Sequence, residues 1–163
     1  MPNWCDNTLE VTHTDPKMIE RLMDAFNDAR LCEEFIPSPN GEWNYDFSVN
    51  NWGTKWDVGG EEGGYAESTQ TSASMSFQSA WSPPINLYPV LESLGYTVRA
   101  MYYEPGCAFA GVYEDGEDAC YGLEGTSAEV KESIPQELDE TFGITESMAE
   151  FEELLAISKK LNK

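Results

Sequence analysis

Residues 72 to 81 read SASMSFQSAW, and the alternation in them decides the fold class. Ala73, Met75, Phe77 and Trp81 fall on one side of an extended chain, and Ser72, Ser74, Ser76 and Gln78 on the other. Successive side chains of a strand point to opposite faces, so the pattern predicts an antiparallel strand with one face on a core and one in water. Upstream, NTLEVTH (7–13) alternates around Leu9 and Val11, and Asp15-Pro16 supplies a helix cap followed by a residue suited to the first helical position. Ile19, Leu22, Met23 and Phe26 then recur at helical spacing, with Glu20, Asp24 and Asp28 on another face. LCEEFI (31–36) reads as a short strand stopped by Pro37 and Pro39. In WNYDFSV (43–49), Trp43, Tyr45, Phe47 and Val49 alternate as in a strand, whereas Tyr45, Val49, Trp52 and Trp56 fit a helical stripe; composition favours the strand. GGEEGG (59–64) has no side-chain reason to settle into one conformation and reads as a mobile loop.

Downstream, Asn86 as a cap places Pro89 in the first turn of a helix, where its missing N–H costs nothing. Leu87, Val90, Leu91 and Leu94 face the core and Gly95 ends the helix. YTVRAMYY (96–103) and CAFAGVY (107–113) read as strands, and Asp115-Gly116 as a hairpin turn before ACYGL (119–123). The order strand, helix, strand, strand, helix, strand, strand predicts an α+β domain over residues 1–123, a ferredoxin-like antiparallel sheet with two helices on one face. Residues 124–163 form an acidic helical C-terminal extension. Thr126 and Glu129 make a capping box for a helix that ends near Pro135. A last helix from about Thr145 carries Ile144, Met148, Phe151, Leu155 and Leu161 along one side, a stripe that needs either the sheet domain or another chain to cover it.

A chain of 163 residues with 40% hydrophobic and 12% aromatic content is long and apolar enough to fold as one domain with appendages. Its 30 acidic against 9 basic residues give a net charge of -21, which excludes direct attraction to nucleic acid or an anionic membrane. The polar N-terminus and the lack of any run of roughly 18 apolar residues predict a cytoplasmic, non-membrane protein. In that compartment Cys5, Cys32, Cys107 and Cys120 are expected as free thiols.

No catalytic, metal or cofactor site is predicted. The single histidine, His13, has Cys5 near it in sequence but no third group to position the pair. The cysteines lack the paired spacing of a zinc site, the acidic run Glu114 to Asp118 lacks calcium-loop spacing, and Glu61 and Glu62 in GGEEGG would repel phosphate. Lys55 is the only basic residue from Leu31 to Val98 and lies between Trp52 and Trp56 in sequence. The three residues form a candidate aromatic pocket. The alternative is that both tryptophans fix a loop on the core while Lys55 pairs with Asp57 or another local acid.

PNWCDNTLEV (2–11), NNWGTKWD (50–57), QSAWSPP (78–84) and YYEPGCAFAG (102–111) together resemble the YubB-like proteins of phages and plasmids, over roughly residues 1 to 122. The resemblance implies a mobile-element origin and a ferredoxin-like domain, and it carries no activity and no catalytic residues. Members of that family carry a glycine after the first strand, where this chain has His13 and Thr14.

From Glu114 to Glu153 there are fourteen acidic residues and one basic residue, Lys131. The apolar residues among them keep helix and hairpin periodicity, so the acids are expected on ordered structure. Duplex DNA carries about one charge per 1.7 Å, and dense carboxylates on a folded surface can offer a comparable field to a basic groove. With the phage and plasmid resemblance, this predicts a non-enzymatic DNA mimic whose partner is a host nuclease or other nucleic-acid-binding defence protein. Glu114, Asp115, Glu117, Asp118, Glu146, Glu150, Glu152 and Glu153 are the candidate contact residues. The alternatives are a module that docks a partner or a second copy through its last helix, and a carboxylate enzyme using a divalent metal.

Overall fold

The computed structural model describes residues 2–60 and 64–163 and contains, among them, six strands and seven helices. The strands are β1 (Trp4–Thr12), β2 (Gly64–Ser68), β3 (Ser72–Ala80), β4 (Thr97–Glu104), β5 (Phe109–Glu114) and β6 (Glu117–Gly122). The helices are α1 (Pro16–Asn27), α2 (Leu31–Phe35), α3 (Tyr45–Asn51), α4 (Leu87–Ser93), α5 (Ser127–Ser133), α6 (Gln136–Phe142) and α7 (Ile144–Leu161). The strands form one antiparallel sheet in the order β2-β3-β1-β4-β5-β6, so the protein is α+β.

The alternation of β3 works as expected. Ala73, Met75 and Phe77 are buried, with Met75 opposite Leu9 and Ala73 opposite Val11 of the central β1. Ile19, Leu22 and Phe26 of α1 and Leu87, Tyr88 and Leu91 of α4 close over that face, and Phe26 meets Phe77 edge-on at 6.0 Å. Helix α1 begins as its sequence dictates, with the Asp15 carboxylate accepting from the Lys17 N–H and Pro16 in the first turn. Two expected core residues lie elsewhere. Trp81 follows the end of β3 with φ +73° and is exposed, and Leu94 caps α4 from the surface because that helix is only two turns long.

Three local expectations are overturned. Residues 31–36 are not a strand: Leu31–Phe35 is helical, because the Asp57 carboxylate accepts from the N–H groups of Cys32 (2.6 Å) and Glu33 (2.9 Å) and caps the turn from 25 residues away. Residues 43–49 are not a strand either. Asn44 accepts from the Phe47 N–H at 2.9 Å and starts α3, whose amide ladder delivers Trp52 into the core. Gly59 and Gly60 are not free to move: both have positive φ, the Gly60 N–H donates to the Phe26 carbonyl at 2.7 Å, and a Cβ on Gly59 would overlap that same carbonyl. Gly64, the last residue of that stretch, begins β2 opposite Phe77, and residues 61–63 lie outside the described residues.

The acidic C-terminal segment covers part of the sheet's second face. Met101 of β4 and Ala110 of β5 are buried there against Leu123, Val130, Ile134, Leu138 and Ile144. Helices therefore pack on both faces of the sheet, where the sequence pattern predicted packing on one. The capping box of α5 is present, with the Thr126 hydroxyl accepting from the Glu129 N–H and the Glu129 carboxylate from the Thr126 N–H. Buried Asp139 of α6 caps α7 by accepting from the N–H and hydroxyl of Thr145. The other half of this face, over β2, β3 and β1, presents Thr8, Glu10, Ser74, Ser76 and Gln78 to water.

Candidate functional site

The four stretches PNWCDNTLEV, NNWGTKWD, QSAWSPP and YYEPGCAFAG meet at one end of the sheet. The Trp81 N–H donates to the Asn3 carbonyl at 2.8 Å, which ties the end of β3 to the start of β1. The Thr54 hydroxyl donates to the Ala80 carbonyl at 2.9 Å, and the Ser82 hydroxyl donates to the Gly53 carbonyl. Across the β4–β5 turn, the buried Glu104 carboxylate accepts from the N–H groups of Gly106 and Cys107, and the Asn3 amide points at the Cys107 sulfur at 3.6 Å. Hydrogen bonds from Trp81 to Asn3, Thr54 to Ala80 and Ser82 to Gly53 thus tie three of the stretches together, and the Asn3 amide reaches the fourth at Cys107.

That junction holds five exposed aromatics, Trp4, Trp43, Tyr45, Trp56 and Trp81. The Lys55 ammonium lies 4.6 Å from the Trp56 ring centroid and 4.7 Å from that of Trp81. Trp4 lies 6.0 Å from Trp56, Tyr45 lies 6.1 Å from Trp81, and the Trp43 indole N–H donates to the Lys55 carbonyl. Contacts of this type are worth about 0.5–1 kcal/mol at exposed sites, enough to orient a side chain and too little to lock it. The expected pocket of Trp52, Lys55 and Trp56 is thus only partly assembled. Trp52 is buried, its indole N–H donating to the Ile36 carbonyl at 2.8 Å, and Trp81 takes its place beside Lys55. Asp57 is spent on α2, and burial holds its carboxyl above the usual range. Trp4, Trp43, Tyr45 and Trp81 escaped the sequence reading of this site, although Trp4 and Trp81 stand in two of the four stretches.

The eight acidic candidates occupy two separate elements. Glu114, Asp115, Glu117 and Asp118 sit at the β5–β6 hairpin, whose central Asp115 and Gly116 both have positive φ as a tight two-residue turn requires. Glu146, Glu150, Glu152 and Glu153 lie on α7, and α6, packed on β5 and on α7, stands between the two groups. Some of these acids have structural partners. Glu114 and Glu137 both reach Arg99, at 3.3 and 2.7 Å, raising the guanidinium pKa chiefly through Glu137. Asp118 accepts from the Tyr102 hydroxyl, which burial together with this carboxylate holds well above the usual phenol range. Glu152 accepts from the N–H and hydroxyl of Ser127 at the start of α5. Of the fourteen acids from Glu114 to Glu153, all but Asp139 are exposed.

Comparison with family models, with curated proteins and with solved structures gives no match. The chain's chemistry is therefore read from its own residues. His13 is engaged at both ring nitrogens: Nδ1 accepts from the Asp15 N–H at 2.9 Å, which leaves Nε2 to donate to the Leu94 carbonyl at 2.9 Å. Cys5, at the other end of β1 and about 26 Å away at strand rise, is buried, and that burial pushes its thiol up to about 12. The two cannot meet as nucleophile and base. Cys32 is raised by burial in the same way, and all four cysteines are free thiols. Among the described residues, no three His, Cys, Asp or Glu side chains gather as metal ligands would, and no helix is long and apolar enough to cross a membrane.

Proposed function

We propose that this protein is a non-catalytic binding protein that presents its acidic C-terminal half to a basic protein surface of the kind that holds nucleic acid. The observation that carries this reading is the display of thirteen exposed carboxylates between Glu114 and Glu153, twelve on a hairpin and three helices and Glu124 on the loop between them, with Lys131 the one basic residue of that stretch and Arg99 paired to two of the acids. Carboxylates on ordered backbone lose no chain entropy when a partner docks, so their field acts as a fixed template. The core of this reading is ferredoxin-like, β1 to β4 with α1 and α4, and β5 and β6 extend it to support the acidic helices. It is encoded by a phage or plasmid and acts in the bacterial cytoplasm as a DNA mimic that blocks a host defence protein.

The test uses host proteins purified on a DNA matrix as the probe. Binding should compete with duplex DNA and weaken by about a thousandfold or more from 50 to 200 mM salt, as expected for six or more charge contacts. Converting Asp115 and Glu117 together to amides, or Glu146, Glu150 and Glu153, should slow association while the fold, read by circular dichroism, is kept; Glu114 and Asp118 are left in place because they hold Arg99 and Tyr102. Binding indifferent to salt, to DNA and to both sets of amides would overturn the reading.

A further inference from the structure

Between the outer strands β4 to β6 and helix α6 lies an open cavity of about 290 Å³. Its size is near the lower end of sites that hold a small ligand, roughly 300–1,000 Å³. Strand alternation builds it. Met101 of β4, Val112 of β5 and Ala119 of β6 stand level across the sheet, and Pro135 and Leu138 at the start of α6 close the cavity from the other side. Ala119, exposed on the edge strand, is the smallest of these, and its methyl leaves the floor hollow. The next level across the sheet is Arg99, Glu114 and Glu117, and Glu137 joins them from α6, so an apolar floor carries a charged rim.

The rim is short of positive charge. Arg99 is the one basic residue of the lining, and both of its terminal nitrogens donate to Glu137, at 2.9 and 2.7 Å. Glu114 has the Arg99 Nε at 3.3 Å, and Glu117 has no side-chain partner among the described residues. These two glutamates stand directly opposite each other across the two-residue turn, and like charges paired across strands repel. A second cation at this rim relieves that repulsion, and an apolar stem attached to it fills the floor. We infer that the cavity seats an arginine side chain of the basic protein partner proposed above, with its guanidinium on Glu114 and Glu117 and its methylenes over Met101, Val112 and Ala119. A planar guanidinium can bond two carboxylates at once through its fork of N–H donors, whereas a lysine ammonium is a compact, strongly hydrated charge. The stem buries along apolar surface while the head stays at the rim. An anchor of this kind gives the acidic surface a fixed register that a diffuse field lacks.

The source of the arginine rests on the acidic-surface reading, whereas the cavity does not, and two measurements separate them. In the first, an acetylated and amidated Ala-Arg-Ala peptide is titrated into the full chain at low salt while the methyl NMR signals of Met101, Val112 and Leu138 are followed. The three signals should move along one saturable curve with a Kd of about 1 mM. The same peptide with citrulline, the neutral isostere of arginine, should bind about tenfold more weakly, the loss expected of a charge-assisted bond. Ala119→Leu, which fills the floor from an exposed position, should remove the response with the circular dichroism spectrum kept. Glu117→Gln should weaken the peptide severalfold and raise the melting temperature slightly, because it ends the repulsion with Glu114. In the second measurement, Ala119→Leu should weaken capture of DNA-binding host proteins about tenfold without changing its slope against salt. Methyl signals that stay still, citrulline that binds as tightly as arginine, or a response that survives Ala119→Leu would overturn the inference, as would host-protein capture undiminished by Ala119→Leu. A peptide seated in the cavity, with no salt-sensitive capture of any DNA-binding host protein, would overturn the acidic-surface reading and keep the arginine site.

Discussion

Phe77 illustrates how one side chain reports on the whole core. It sits on the central strand pair, buried, with Phe26 of α1 against its edge, so its removal opens a cavity that neither the sheet nor the helix can collapse to fill. Phe77→Ala should cost about 3–5 kcal/mol, read from denaturant midpoints; a loss under about 1 kcal/mol would mean that the sheet and α1 do not share a core there. At the surface, Glu34 bridges two helices, accepting from Arg21 at 2.8 Å and from Arg30 at 2.7 Å. Those bonds, Arg21 first, hold its carboxyl below the ordinary 4.5. A depressed carboxylate stabilises the fold above its unfolded pKa and loses that contribution as pH falls through its folded one. Glu34→Gln should therefore cost about 0.5–1 kcal/mol at pH 7, in line with exposed pairs, and the difference from wild type should close as pH drops below about 4.5. A gap that persists at low pH would assign the loss to packing.

At the level of elements, the helices divide by the origin of their caps. Those of α1, α3 and α5 come from local side chains, Asp15, Asn44 and Thr126, each within three residues of the N–H it satisfies. Those of α2 and α7 come from elsewhere in the fold, Asp57 and Asp139. Asn44→Ala should cost about 1 kcal/mol, with an unchanged denaturant slope, because α3 is short and its amides face solvent without the cap. A neutral result would show that Trp52 alone, pinned through its indole to Ile36, sets the path of this segment.

Across the whole molecule, the net charge of -21 works against compaction, and Lys131, the one basic residue from Glu114 to Glu153, does little to offset it. Exposed like charges are screened beyond about 10 Å at 0.1 M salt, so salt should stabilise this protein. Raising sodium chloride from about 20 to 300 mM should raise the melting temperature by about 3 °C for each kcal/mol of repulsion relieved, read by calorimetry. A fall would mean that ion pairs such as those of Arg99 outweigh the repulsion.

Sequence by itself determined what depends on neighbours a few residues apart. The alternation of 72–80, the Asp15-Pro16 start of α1, the Asp115-Gly116 turn and the Thr126–Glu129 box are local patterns, and each forms as its residues dictate. The acidic candidates were legible too, as composition, together with Lys55 and Trp56. Only the tertiary structure decided the rest. LCEEFI became a helix because a carboxylate 25 residues away caps it, and WNYDFSV became one because a cap and a buried indole outweighed its β-rich composition. Trp81 replaced Trp52 beside Lys55 because strand pairing brings residue 81 to residue 3, and no spacing along the chain encodes a contact made across a sheet.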